Sequence, residues 1–249
     1  MQTKIDDTKI REIPGELPKE TWTQTNKNIG NDEIKALFFP LTKNWDKDIF
    51  DFLKNMVFFI HKILKKERFE NEYIEKNFAK LSARELLTEG KTFYMNPCLD
   101  FVLVTIEGLK RTGIENIKFI VEELQCPGNG FKVHFGIELI REGKNYYIDY
   151  RSMNNVFLWQ GNFMSNYEYK GETIAHSIKI DAKNISVDDN IYTLMERWII
   201  QFKNLNMEVL AMLKEKLKKH NKPEQWDRWF VSAVEDINKP EIFLENKEE

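Results

Sequence analysis

Residues 131–150 read FKVHFGIELIREGKNYYIDY, and the fold turns on how the two halves of this stretch pair. From 131 to 140 apolar and polar residues alternate. A strand therefore sorts them, with Val133, Phe135, Ile137 and Leu139 on one face and Lys132, His134, Gly136 and Glu138 on the other. Residues 146–150 form a second β-like run, and REGKN between them suits a hairpin turn. A turn centred on Glu142-Gly143 sets Gly136 opposite Asp149 and Ile137 opposite Ile148. His134 then becomes a diagonal neighbour of Asp149, roughly 7–8 Å away at the backbone. A slip of one residue would drive Asp149 among aliphatic side chains, so the pattern selects this register.

Outward from the hairpin, NIKFIVEEL (116–124) is β-like, CPGNG (126–130) reads as a turn, and NVFLWQG (155–161) offers a further strand. Upstream, NPCLDFVLVTIEGLKRTGI (96–114) predicts a helix over 98–112. Asn96 suits the N-cap, Pro97 the first helical position, and Gly113 the stop. Phe101, Val102, Thr105, Ile106 and Leu109 give that helix an apolar stripe. SARELLTEG (82–90) has the form of a capping box, Ser82 with Glu85, ended by Gly90. Residues 33–67 read as helical with a break at Pro40, and Ile49, Leu53, Val57 and Ile60 recur at helical spacing. Residues 1–32 read as a loose arm with Trp22 as its anchor, and 191–220 as a long amphipathic helix or helix pair packed on the core.

Composition bounds the class. The 249 residues fit one domain, or one domain with a helical extension, and 42% apolar with 31% charged residues is ordinary for a globular chain. A net charge of −3 gives no footprint for nucleic acid. The N-terminus has no apolar stretch behind its charges, and no run nears the roughly 18–20 apolar residues that a membrane helix needs. The expectation is a cytoplasmic chain with no nucleic-acid or membrane partner. Two cysteines, Cys98 and Cys126, make no disulfide framework.

The chemistry-bearing residues are few. Cys98 falls in the first turn of its helix, where free amides and the helix dipole favour an anion and can lower a thiol pKa from about 8.5 towards 3.5–7.5. The same amides can hold a developing oxyanion. A carboxylate beside an imidazole fixes its tautomer, and an imidazole beside a thiol takes its proton. Cys98, His134 and Asp149 thus form a complete set for nucleophilic acyl chemistry. Tyr94, Trp45 and Gln125 are candidates for a second oxyanion donor. His61 reads as a packed helix residue, Cys126 as a loop residue, and His176 and His220 have no evident partners. No cluster has metal-ligand spacing, and no glycine loop cradles phosphate.

SARELLTEG, NPCLDFVLVTIEGLKRTGI, HFGIEL and YYIDY together resemble the transglutaminase-like superfamily over roughly residues 80–150. Family members have a nucleophilic cysteine opening a helix and a Gly-Ile pair after its end, matched by Gly113-Ile114. Their histidine is followed four residues later by Glu, matched by His134 and Glu138, and their acidic residue on the next strand is matched by Asp149. Asp100 fits a common acidic position two after the cysteine. Asn96 stands where the family usually has Gly, and Gly136 where it usually has an aromatic residue. The Arg-Gly-Gly lead-in of arylamine N-acetyltransferases is absent.

The resemblance implies an α+β fold with a papain-like core, the cysteine helix packed on an antiparallel sheet carrying His and Asp. The expected layout is an N-terminal arm and helical part over 1–74, the core over 75–165, and a mostly helical part over 166–249. It implies a cysteine-nucleophile hydrolase or acyltransferase (peptidase, amidase or transglutaminase) acting on a peptide, a protein or an amide-containing small molecule. Cys98 would attack, His134 would move the proton, Asp149 would orient His134, and no cofactor would be needed. The family also includes members without turnover, so a binding or scaffold protein on the same fold is the alternative.

Overall fold

The computed structural model describes residues 3–4, 28–42, 48–93, 98–127, 130–150, 155–161, 172–191, 193–194 and 241–246. In chain order its elements are β1 (Thr3–Lys4), α1 (Asn31–Thr42), α2 (Ile49–Ile63), β2 (Lys65–Glu67), α3 (Asn71–Asn77), α4 (Ala83–Glu89), β3 (Lys91–Phe93), α5 (Cys98–Arg111), β4 (Ile117–Cys126), β5 (Gly130–Arg141), β6 (Lys144–Tyr150), β7 (Asn155–Gln160), β8 (Thr173–Asp181) and β9 (Glu241–Asn246). This is a mixed helix-and-sheet chain of the α+β class. One sheet runs in the order β1-β9-β7-β6-β5-β4-β8, and β2 pairs with β3 as a separate ribbon. Neighbours in the large sheet are antiparallel, except that β7 and β9 run parallel. Strands from the stretches 1–74, 75–165 and 166–249 all join this sheet.

The hairpin of β5 and β6 takes the register that the alternation selects, with Gly136 opposite Asp149 and Ile137 opposite Ile148. Glu142 and Gly143 both have positive φ, 53° and 74°, as a two-residue type I′ turn requires. β4 lies on the other side of β5 and sets Glu122 opposite His134.

One face of the sheet carries Phe119, Phe135, Ile137, Ile148, Tyr150 and Leu158, which join α5 in the main core. The Thr105 and Tyr150 hydroxyls meet at 2.6 Å, and the Phe101 and Tyr150 rings lie 5.2 Å apart, which locates α5 on this face. α5 is buried on every side from Leu99 to Leu109, so the expected stripe is in fact a whole circumference. The sheet covers one flank of α5, and α1, α2 and α4 pack against it too. A helix enclosed this way needs apolar residues all round. Its buried Glu107 is held by Lys110 at 3.2 Å and Arg111 at 2.6 Å.

The opposite face was expected to be polar. It is polar in part, yet it is also buried, around a second apolar cluster of Ile120, Leu124, Tyr147, Phe157 and Trp159.

Local signals hold well in the helical part. Asp48 caps α2, the Ser82–Glu85 capping box forms, and Gly90 ends α4 with φ 65°. Gly113, with φ 85°, follows α5. Pro40 does not break α1, which runs on to Thr42. The proline forgoes its own N–H bond to the Ala36 carbonyl, and the helix ends two residues later. Lys65–Glu67 is strand rather than helix, because the Lys65 amide leaves α2 to bond the Gly90 carbonyl at 2.9 Å. The C-terminal part supplies β8 and β9, so its described residues are chiefly strand. Trp22 and nearly all of the 191–220 segment lie outside the described residues.

Candidate functional site

The hairpin register brings His134 and Asp149 together. His134 Nε2 is hydrogen-bonded to Asp149 Oδ1, and the two residues are 6% and 1% exposed. Gly136 faces Asp149 directly, and His134, two residues along the same face, reaches the carboxylate as its diagonal neighbour. The second oxygen, Asp149 Oδ2, is buried and accepts no hydrogen bond among the described residues.

The surrounding groups were not singled out by residue type alone. Glu122, opposite His134 on β4, is buried, and its Oε1 lies 3.8 Å from where a Cβ on Gly136 would stand. One row along, buried Glu138 accepts a hydrogen bond from the Tyr147 hydroxyl at 2.6 Å and pairs with Lys179. Burial and the neighbouring Glu138 push the Tyr147 hydroxyl pKa up. The signal that could have found Glu122 was the alternation of 116–124 continued into β4: once β4 pairs with β5, Glu122 must share the face of His134.

Cys98 is the first residue of α5, half-buried, in no disulfide, and packs against the main core. Asn96 and Pro97 lie outside the described residues. Asp100 is fully enclosed; its Oδ2 accepts from the Thr92 hydroxyl at 2.6 Å, and burial pushes its carboxyl pKa up to about 7.

The hairpin joins His134 to Asp149, and Cys98 opens α5, the helix that packs on the Tyr150 side of the sheet. Side chains alternate along a strand, so when Tyr150 and Phe135 point at α5, Asp149 and His134 point away from it. Ile120 and Phe157, in the same cross-strand row as Gly136 and Asp149, belong to the second apolar cluster and agree with this assignment of faces. The body of α5 thus packs on the face opposite to the one that carries the His134–Asp149 pair. The start of that helix and the pair both lie towards the end of the sheet where β6 finishes at Tyr150, since the ring stacked on Tyr150 belongs to Phe101, one turn after Cys98.

The remaining candidates are quickly placed. His61 is buried in α2, its Nδ1 2.9 Å from the Val57 carbonyl and its ring 4.3 Å from Phe101; burial, with Lys66 adding to it, lowers its pKa to about 3. Cys126 is a free thiol at the end of β4, with Sγ 3.9 Å from the Leu124 carbonyl and 4.0 Å from Glu172. Gln125 lies exposed on β4. Tyr94, Trp45, His220 and the side chain of His176 lie outside the described residues. Among the described residues no group of three or more His, Cys, Asp or Glu is arranged to hold a metal ion, and no helix is long and apolar enough to cross a membrane. Comparison with protein-family models, with curated proteins and with solved structures finds no match to this chain.

Proposed function

We propose that the chain is a transglutaminase-like domain that binds or scaffolds rather than turns over an acyl substrate. One geometric relation supports this reading: the body of α5 packs on the face of the sheet opposite to the one that bears the His134–Asp149 pair. A base must come within hydrogen-bond reach of the proton it removes, directly or through one water, and the reading takes the strand layer to keep His134 and the Cys98 thiol apart. On this reading the pair is a buried polar tie between β5 and β6. It replaces the side-chain packing that Gly136 cannot provide.

The reading is tested by thiol reactivity in a Cys126→Ser background, where Cys98 is the remaining thiol. Iodoacetamide alkylation is followed from pH 5 to pH 9 with and without His134→Gln. The expected result is one titration curve whose midpoint the substitution leaves in place. A midpoint at least tenfold lower in proton concentration in His134→Gln would couple the imidazole to the thiol and overturn the reading.

Such a displacement would favour a second reading, cysteine-dependent acyl chemistry on an amide bond. Two observations support it: the His134–Asp149 hydrogen bond is formed, and Cys98 opens a helix at the same end of the sheet. There the Cys98 thiolate attacks the carbonyl, His134 accepts the thiol proton and returns it to the leaving amine, and Asp149 orients the ring. Water or an amine then resolves the thioester.

A further inference from the structure

We propose that Glu122 is a second carboxylate for the His134 ring, a positioning residue that acts with Asp149 to hold the ring as an imidazolium across β4, β5 and β6. Three strands carry the array. Asp149 on β6 is hydrogen-bonded to the ring at Nε2, and Glu122 on β4 stands directly opposite His134. Directly opposed residues have Cβ atoms about 4.5–5.5 Å apart. The Glu122 carboxylate reaches along the same face towards Gly136, its Oε1 3.8 Å from where a Cβ would stand there, and Gly136 in turn faces Asp149. Both acids thus converge beside one imidazole. All three residues are buried, Glu122 and Asp149 at 1% and His134 at 6% exposed.

The other charged groups of this face are engaged elsewhere. Glu138 of β5 accepts from the Tyr147 hydroxyl of β6 and pairs with Lys179 of β8. Lys118 of β4, opposite Glu138, pairs with Asp181 of β8 at 2.9 Å. Ser177 of β8 faces Glu122 and Phe157 of β7 faces Asp149, and neither brings a charge. The side chains of Lys132 and His176 lie outside the described residues. Asp149 Oδ2 accepts no hydrogen bond among the described residues, so the ring is what meets the charge of that carboxylate. Burial acts the other way. It disfavours a charged imidazole by up to about a thousand- to hundred-thousandfold, whereas one opposite charge within about 4–6 Å favours it by about ten- to a thousandfold. A single carboxylate can lose this contest; two, one of them hydrogen-bonded, tip it, and the ring is the strongest base of the three. His61 is the contrast within the same chain. It is 2% exposed, and burial, with Lys66 rather than a carboxylate beside it, drives its pKa down to about 3.

The array concerns the ring and not the thiol, so it stands or falls separately from the alkylation of Cys98. The test is ring-nitrogen NMR on the full chain with 15N-labelled histidine, from pH 5 to pH 9.5. His134 is assigned by the signals that disappear in His134→Gln. Both of its ring nitrogens are expected to stay protonated past pH 7.5, at least tenfold in proton affinity above an ordinary histidine at about 6.5. Glu122→Gln keeps the size of the side chain and should lower the midpoint at least tenfold. Glu122→Asp keeps the charge at a greater distance and should lower it less, whereas a merely structural loosening would move both variants alike. A midpoint below pH 7.5 in the unaltered chain, or one that Glu122→Gln lowers by less than tenfold, would overturn the array.

Discussion

The hydroxyl groups of Thr105 and Tyr150 meet at 2.6 Å inside the core, and this contact ties the middle of α5 to the last residue of β6. It also determines which way the end of β6 faces. With Tyr150 turned to the helix, Asp149 must turn to the far side of the sheet.

Because both hydroxyls are buried, removing one strands the other. Tyr150→Phe is expected to cost about 1–2 kcal/mol, read as a lower denaturation midpoint with an unchanged denaturant slope. Thr105→Val should cost a similar amount. The double substitution should be less damaging than the sum of the two, with a coupling of about 1 kcal/mol. Strict additivity would mean that the hydroxyls do not depend on one another.

Two glycines should respond to the same change in opposite ways. A Cβ on Gly108 would come within 2.6 Å of a Phe38 ring carbon and 3.0 Å of Met56 Sδ, since α1 and α2 crowd α5 there. Gly108→Ala should destabilise by about 1–3 kcal/mol, although alanine is the better helix former by about 1 kcal/mol. A Cβ on Gly136 meets the Ile148 carbonyl at 3.5 Å and Glu122 at 3.8 Å, which are ordinary contacts. Gly136→Ala should change the thermal midpoint little. A neutral Gly108→Ala would mean that Phe38 can swing clear without loss.

His61 and Asp100 should oppose each other in their effect on acid stability. Burial lowers the His61 pKa from 6.5 to about 3, so the unfolded chain holds the extra proton and stability rises with pH between those values. Burial raises the Asp100 pKa from 3.8 to about 7, so the folded chain holds the extra proton and stability falls with pH between those values. A tenfold difference in proton affinity between the folded and unfolded chains is worth about 1.4 kcal/mol, which makes each contribution on the order of 4 kcal/mol. The two offset each other over the window that they share, from about pH 4 to 6.5. His61→Phe should leave a chain that weakens as pH rises through this window. Asp100→Asn should leave one that strengthens. Urea midpoints at pH 4, 5, 6 and 7 decide it, and parallel pH profiles for the two variants would refute the pairing.

Much of the scaffold could be read from short-range signals. The hairpin register followed from alternation in 131–140 together with the placing of Asp149, and Glu142-Gly143 completed it. Ser82, Glu85, Gly90 and Gly113 act through their own backbone neighbours, so their roles as cap and stop were equally legible. Pairings between distant segments were not. β9 joins β7 across some eighty residues, and nothing in EIFLEN (241–246) names its partner. The burial of His134, Glu122 and Glu138 was hidden for a similar reason, because alternation separates two faces without saying what covers each. The docking of α5 has the same origin. Residue types predicted that His134 and Asp149 would meet, and they do, but the side of the sheet on which a remote helix docks depends on contacts such as Thr105–Tyr150 that no local pattern encodes.

The pairing of Thr3–Lys4 with Phe243–Leu244, and of β9 with β7, has a consequence for biosynthesis. Until β9 has been synthesised and has paired, the outer edge of β7 stays uncapped, exposing a row of backbone groups as a template for foreign strands. The nascent chain is most exposed to misassembly in the interval between the emergence of β7 and that of β9. A chaperone that shields this edge during that interval would raise the folded yield without touching the finished molecule.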